Sequence, residues 1–155
     1  MSDDLARAVV DGMVARDAFS AWLGLDVSDV GEGRATCAML VRPDMLNGFG
    51  VCHGGVTFAL ADSAFAFACN GQGRVAMSIE NGMTYPAPVH AGDRLVAVAE
   101  AERASRRIGF YRVVVRNQED AIVGLFHGTA YRTDRLHPAA ERAGGAHVAP
   151  IPGEE

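Results

Sequence analysis

The stretch His53-Gly54-Gly55-Val56-Thr57-Phe58-Ala59-Leu60-Ala61-Asp62-Ser63-Ala64-Phe65-Ala66-Phe67-Ala68-Cys69-Asn70 decides the fold. From Val56 to Cys69 the only polar side chains are Thr57, Asp62 and Ser63. A helix that is apolar nearly all round belongs in a core rather than at a surface. The run is too short to span a membrane and carries a carboxylate. The sequence therefore predicts a buried helix over 56–70, stopped by Asn70-Gly71-Gln72-Gly73. A sheet has to wrap around it.

Working outward, four strands follow: Arg74 to Tyr85, Arg94 to Arg103, Gly109 to Asn117 and Ala121 to Arg132. Gly92-Asp93 and Gln118-Glu119-Asp120 read as turns. Upstream, Arg42 to Gly50 reads as loop, and Asp26 to Val30 and Arg34 to Val41 as a hairpin turning at Gly31-Glu32-Gly33. Phe19 to Leu25 reads as a short apolar turn. Ser2 or Asp3 caps a peripheral first helix that runs to about Asp17, with Leu5, Val9 and Met13 at helical spacing. Consecutive strands joined by short turns imply an antiparallel sheet, hence an α+β fold. One domain over residues 1–135 is expected, with 136–155, rich in Ala, Gly and Pro, as a flexible C-terminal tail.

Composition narrows the function. The chain has 155 residues, 14 basic and 19 acidic, for a formal charge of −5. That balance speaks against a nucleic-acid surface or a polybasic membrane anchor. All the basic residues are Arg; without Lys there is no Schiff-base chemistry and no Walker-type phosphate loop. Cys37, Cys52 and Cys69 are odd in number and widely spaced, which argues against a disulfide framework or a zinc ribbon. The acidic N-terminus is unlike a signal peptide, and a cytoplasmic location is expected. The five His residues lack metal-ligand spacing, so no metal is expected. No Gly-x-Ser-x-Gly elbow occurs, and Cys52 beside His53 is not a nucleophile–base pair by virtue of adjacency. The Gly48, Gly50, Gly54 spacing lacks the βαβ unit of a dinucleotide site.

Asp62 is the residue out of place. Its neighbours at three and four residues are Phe58, Ala59, Phe65 and Ala66, and an unpartnered buried carboxylate is costly. It either pairs with an Arg from a strand, faces water, or faces a cleft as base or nucleophile. Gly54-Gly55 at the helix start is either a tight turn or an invitation to close backbone approach. The first amides of a helix lack internal partners and sit at the positive end of its dipole, which suits an oxyanion. Asp62 lies ~12 Å along the helix from Gly54, at ~1.5 Å per residue. If both act on one atom, they come from different chains, as in a two-fold dimer with antiparallel helices side by side.

The segment Asn47-Gly48-Phe49-Gly50-Val51-Cys52-His53-Gly54-Gly55, with Ala61-Asp62-Ser63-Ala64 and Ala68-Cys69-Asn70, resembles the hotdog-fold acyl-CoA thioesterases of the phenylacetic acid degradation type. Met83-Thr84-Tyr85-Pro86 and Ala91-Gly92-Asp93 extend the likeness, which runs from the first helix to about Thr133. The resemblance implies an antiparallel sheet around a central helix, and homodimers with interface sites, further paired into tetramers. It implies Asp62 as the catalytic carboxylate and Gly54 as the amide that polarises the thioester carbonyl. Asn47 is the loop Asn that contacts the thioester. His53 shapes that loop, and Ser78 helps to hold the water; an exposed strand hydroxyl is the other reading of Ser78. The substrate is an acyl-CoA, aryl-acetyl or hydroxyphenylacetyl, with coenzyme A as part of the substrate and no cofactor.

Gly55 and the Arg106-Arg107 pair are candidate substrate-binding residues, the arginines as cations for the coenzyme A phosphates or else as a solvated turn. Phe49, Phe58 and Phe65 line an aromatic pocket or simply pack the core. Two further readings are a hotdog enoyl-CoA hydratase or dehydratase, which needs an acid–base partner for Asp62, and a non-catalytic acyl-CoA binding module.

Overall fold

The computed structural model describes residues 2–144. Two helices, α1 (Ser2–Val14) and α2 (Ala18–Leu23), precede the hairpin of β1 (Asp26–Gly31) and β2 (Arg34–Leu40). A single 3-10 turn (Pro43–Met45) leads into the long helix α3 (Gly54–Asn70). The strands β3 (Arg74–Thr84), β4 (Arg94–Ala104), β5 (Ile108–Arg116) and β6 (Ile122–Leu136) follow, then the short helix α4 (Pro138–Arg142). The six strands form one sheet in the order β1-β2-β4-β5-β6-β3, and every neighbouring pair is antiparallel. Because α3 carries the chain across the sheet, β3 lands at the far edge, separated from β2 by three strands.

This is the expected hotdog arrangement, and α3 is its filling. Along β5 the residues alternate: Gly109, Tyr111, Val113 and Val115 are buried, while Phe110, Arg112 and Arg116 are exposed. The buried face meets Phe65, which lies edge-on to Tyr111 with ring centroids 5.4 Å apart and tilts against Phe126 at 5.8 Å. Gly128 on β6 makes this fit possible, since a Cβ there would come within 2.9 Å of the Phe65 ring. Burying a phenyl side chain is worth ~1.5–3 kcal/mol.

The wrap leaves α3 open along one stripe. Leu60, Ala61, Ala64, Phe65, Phe67 and Ala68 are buried, but Val56, Ala59, Asp62, Ser63 and Ala66 are only half-buried. Those positions recur at three- and four-residue intervals, which is one face of a helix.

Several local expectations need correction. Phe19 to Leu25 is not a bare turn; most of it belongs to α2, which is capped by Asp17, whose carboxylate accepts from the Ser20 amide at 3.0 Å, and closed by Gly24 at φ 73°. The long helix starts at Gly54, two residues early, because His53 supplies a cap. Of the expected tail, 136–144 are described. Leu136 ends β6, and α4 begins with Pro138 and buries Ala140. His137 ties this segment down, its Nε2 lying 2.7 Å from Asn70 Oδ1. Residues 145–155 of that tail lie outside the described residues.

Candidate active site

At the N-terminus of α3 the His53 imidazole turns back, and its Nδ1 accepts from the Gly55 amide at 2.9 Å. That satisfies one of the amides a helix start leaves over. The Gly54 amide, at the first helical position, has no carbonyl one turn back to donate to. Its own carbonyl accepts from the Tyr85 hydroxyl at 2.9 Å, and a Cβ on Gly54 would meet the Tyr85 ring at 3.4 Å. Tyr85 therefore buttresses the turn that presents Gly54. The sequence places Tyr85 within a matching segment but carries no signal for this role.

The preceding loop is built around Asn47. Its side-chain oxygen accepts from Phe49 N at 2.9 Å and Val51 N at 3.4 Å, and its backbone N–H donates to Val51 O at 2.8 Å. With the oxygen occupied by the loop, the carboxamide N–H groups are the part of Asn47 available to a ligand. Phe49, at the tip, is 94% exposed. It does not line a pocket within one chain. Phe58 and Phe65 pack in the core against Phe126.

Asp62, two turns further along α3, has different company. Its Oδ1 accepts from Asn81 Nδ2 at 2.9 Å, and Asn81 Oδ1 accepts from the Ser78 hydroxyl at 2.8 Å. The partner of Asp62 is thus an amide on β3 and not a guanidinium. Burial raises the carboxyl above its ordinary value, and the Asn81 hydrogen bond draws it part of the way back. Asn81 escaped sequence reasoning because strand periodicity puts residues 78 and 81 on opposite faces. A bulge decides otherwise: Ser78 pairs with Ala130 and Glu80 with the adjacent Thr129, so Ile79 is an extra residue. The insertion turns both side chains to one side.

Two groups result. Asn47, His53, Gly54, Gly55 and Tyr85 surround the start of α3, and Asp62, Asn81 and Ser78 form the other. Eight residues of helix, ~12 Å, separate Gly54 from Asp62 within one chain.

Arg106 and Arg107 join neither group. With Arg74 they converge on Asp134: Arg107 Nη2 is 2.7 Å from Oδ2, and Arg74 Nη1 and Arg106 Nη2 are 3.4 and 3.6 Å from Oδ1. One carboxylate answers three guanidinium groups, so the cluster keeps an excess of positive charge. An open groove of about 650 Å³, lined by Arg16, Val75, Asp134, Arg135, His137 and Glu141 among others, lies beside it.

The cysteines are poorly placed for nucleophilic work. All three are buried and free, and burial pushes Cys37 and Cys69 up to about 12 and raises Cys52. Among the described residues, no cluster of His, Cys, Asp or Glu is arranged to hold a metal ion. No helix among them is long and apolar enough to cross a membrane.

Residues 49–123 match the thioesterase superfamily. The chain is 40% identical over 120 residues to the acyl-coenzyme A thioesterase PaaI of Escherichia coli, covering 77% of this chain and 86% of that protein. The structure of the Escherichia coli PaaI protein from the phenylacetic acid degradation operon superposes with a TM-score of 0.86 at 36% identity, covering 88% of this chain and 99% of that one. A structure of the phenylacetic acid degradation protein PaaI from Thermus thermophilus matches at 43% identity and a TM-score of 0.73, covering 76% and 100%.

Proposed function

The chain belongs to the thioesterase superfamily, and within its thioester chemistry we propose that it hydrolyses aryl-acetyl and hydroxyphenylacetyl-CoA to the free acid and coenzyme A. The acyl class follows the similarity to the PaaI proteins. In this reading Asp62 is the general base, Ser78 helps to hold the hydrolytic water, and the Gly54 amide of a partner chain polarises the thioester carbonyl. Asn47 contacts the thioester, and His53 and Gly55 form the turn that presents the Gly54 amide. Asp62 takes a proton from water as the oxygen attacks the thioester carbon. The tetrahedral oxyanion collapses, the carbon–sulfur bond breaks, and the proton held on Asp62 goes to the departing thiolate. No cofactor enters this sequence.

One observation carries the proposal: two incomplete groups on one helix, with Asp62 on the stripe that the chain's own sheet leaves half-covered. A second copy with its α3 antiparallel alongside covers that stripe and brings Asp62 of each chain to Gly54 of the other. The free edge of β3, with Met77 and Ile79 more than half exposed, suits sheet continuation across the same two-fold. Exposed Val98, Phe110 and Leu125 on the outer sheet face suit the pairing of dimers into a tetramer. Arg106, Arg107 and Arg74 supply cations for the coenzyme A phosphates. Buried free cysteines suit a reducing, cytoplasmic setting. The hydratase reading needs an acid–base partner for Asp62, and its neighbours Asn81 and Ser78 are neither acid nor base at neutral pH.

The test is thiol release from phenylacetyl-CoA and hydroxyphenylacetyl-CoA, first by the native protein. Asp62→Ala and Gly54→Pro chains, each inactive alone, are then mixed. Proline is tolerated at a first helical position, so Gly54→Pro deletes the amide and keeps the helix. Regained turnover in mixed dimers is expected. Mixed dimers without it overturn the shared site, and a native protein that releases no thiol from either ester overturns the substrate assignment.

A further inference from the structure

The hydrogen-bond chain from β3 to α3 has a direction set by chemistry. An ionised carboxylate only accepts, so Asn81 must offer Asp62 its nitrogen, as the 2.9 Å contact has it. The Asn81 oxygen then faces Ser78 and only accepts, so the Ser78 hydroxyl must donate its single proton there, at 2.8 Å. The Ser78 oxygen is left with acceptor capacity alone. A water between Ser78 Oγ and the second oxygen of Asp62 finds two acceptors, commits both protons, and turns a lone pair outward.

We propose that Asn81 is the positioning residue of this enzyme: it fixes the Asp62 carboxylate and the direction of the Ser78 hydroxyl, and so aims the attacking water. The inference rests on the reading of Asp62 as general base. Three features of the fold support it. Asn81 reaches Asp62 only because of the bulge at Ile79, which puts residues 78 and 81 on one side of β3. Asn81 is half-buried and spends both ends of its amide on two candidate site residues. Burial raises the Asp62 carboxyl above its ordinary value, and the Asn81 amide opposes that by favouring the ionised form a base needs. The Cys69 thiol on the same helix also senses Asp62 electrostatically but makes no hydrogen bond to it.

The experiment compares native protein with Asn81→Ala, Asn81→Gln and Asp62→Asn in steady-state thiol release across pH 5–9, with thermal unfolding as the check on folding. For Asn81→Ala, kcat falls about 10- to 100-fold, the cost of a misplaced reacting group. KM changes little. The acid limb of the kcat/KM profile moves to higher pH, because Asp62 loses the bond that favours its ionised form. Asn81→Gln keeps the amide and recovers part of kcat and of the shift. A folded Asn81→Ala with an unmoved acid limb and native kcat overturns the inference, and so does a change confined to KM. If Asn81→Ala does not fold, Asn81→Gln decides: a partial loss of kcat with the acid limb displaced to higher pH upholds the inference, and a native profile or an unmoved limb overturns it. Asp62→Asn separates the two readings, since native-level activity there sinks the general-base reading itself.

Discussion

Asp62→Asn is expected to act in opposite directions on catalysis and on stability. Removing a general base costs about 10²–10⁴-fold in rate, or roughly 2.7–5.5 kcal/mol of barrier. For the fold, two effects compete. The native carboxylate accepts a charge-assisted bond from Asn81 at 2.9 Å, worth ~1 kcal/mol more than its neutral replacement. Against it stands the desolvation of the carboxylate, which outweighs the bond because the carboxyl is raised overall. The folded chain therefore binds more protons than the unfolded chain just above the ordinary carboxylate range. Stability falls as pH rises through that window and stays at the lower level above it. Asp62→Asn removes the penalty, so at pH 8 it unfolds at the same temperature as native or up to about 3 °C higher. The difference shrinks as pH falls through the ordinary carboxylate value of ~3.9 and is gone well below it, where Asp62 is protonated in both states. Differential scanning calorimetry at pH 4, 6 and 8 reads the stability, and thiol release reads the activity. A variant that loses activity and also melts several degrees lower at pH 8 makes Asp62 a structural anchor instead of a destabilising base.

Other perturbations follow from single contacts. His53→Ala removes the cap on Gly55, costs ~1 kcal/mol, and lowers the melting temperature by about 2–4 °C; His53→Asn, with an acceptor of similar reach, restores most of it. Gly128→Ala drives a methyl against the Phe65 ring and costs ~1–3 kcal/mol by denaturant unfolding, with Gly48→Ala, which meets nothing within 4 Å and has no left-handed φ, as the comparison for glycine entropy. Asp134→Asn releases Arg74, Arg106 and Arg107 from their shared carboxylate, so KM for a CoA ester should fall at low salt and converge on native at high salt; an unchanged KM at both would remove the arginines from coenzyme A binding.

Much of this could be read directly. The all-round apolar stretch 56–69 required a wrapped helix, and short turns between four successive strands required an antiparallel sheet. Asp62 and the double glycine stood out because each is expensive where it sits. What the sequence left ambiguous had a common physical cause, namely that the deciding partner is remote in the chain. The capping role of His53 adds two residues to the helix, and a histidine is not a usual cap. The segment 136–144 looked loose because its anchor, Asn70, lies more than sixty residues earlier.

From the sequence alone came the central helix, the six strands, the fold class and Asp62 as the carboxylate out of place, since these follow from local periodicity and from the cost of burying charge. What the carboxylate touches depends on how distant strands pair. A one-residue bulge in β3 reverses which side chains share a face, and no periodicity reports an insertion that depends on pairing with β6. The same holds for the three arginines on Asp134, which arrive from different strands and loops, and for the open stripe of α3, which exists because one sheet can cover a helix on only part of its circumference.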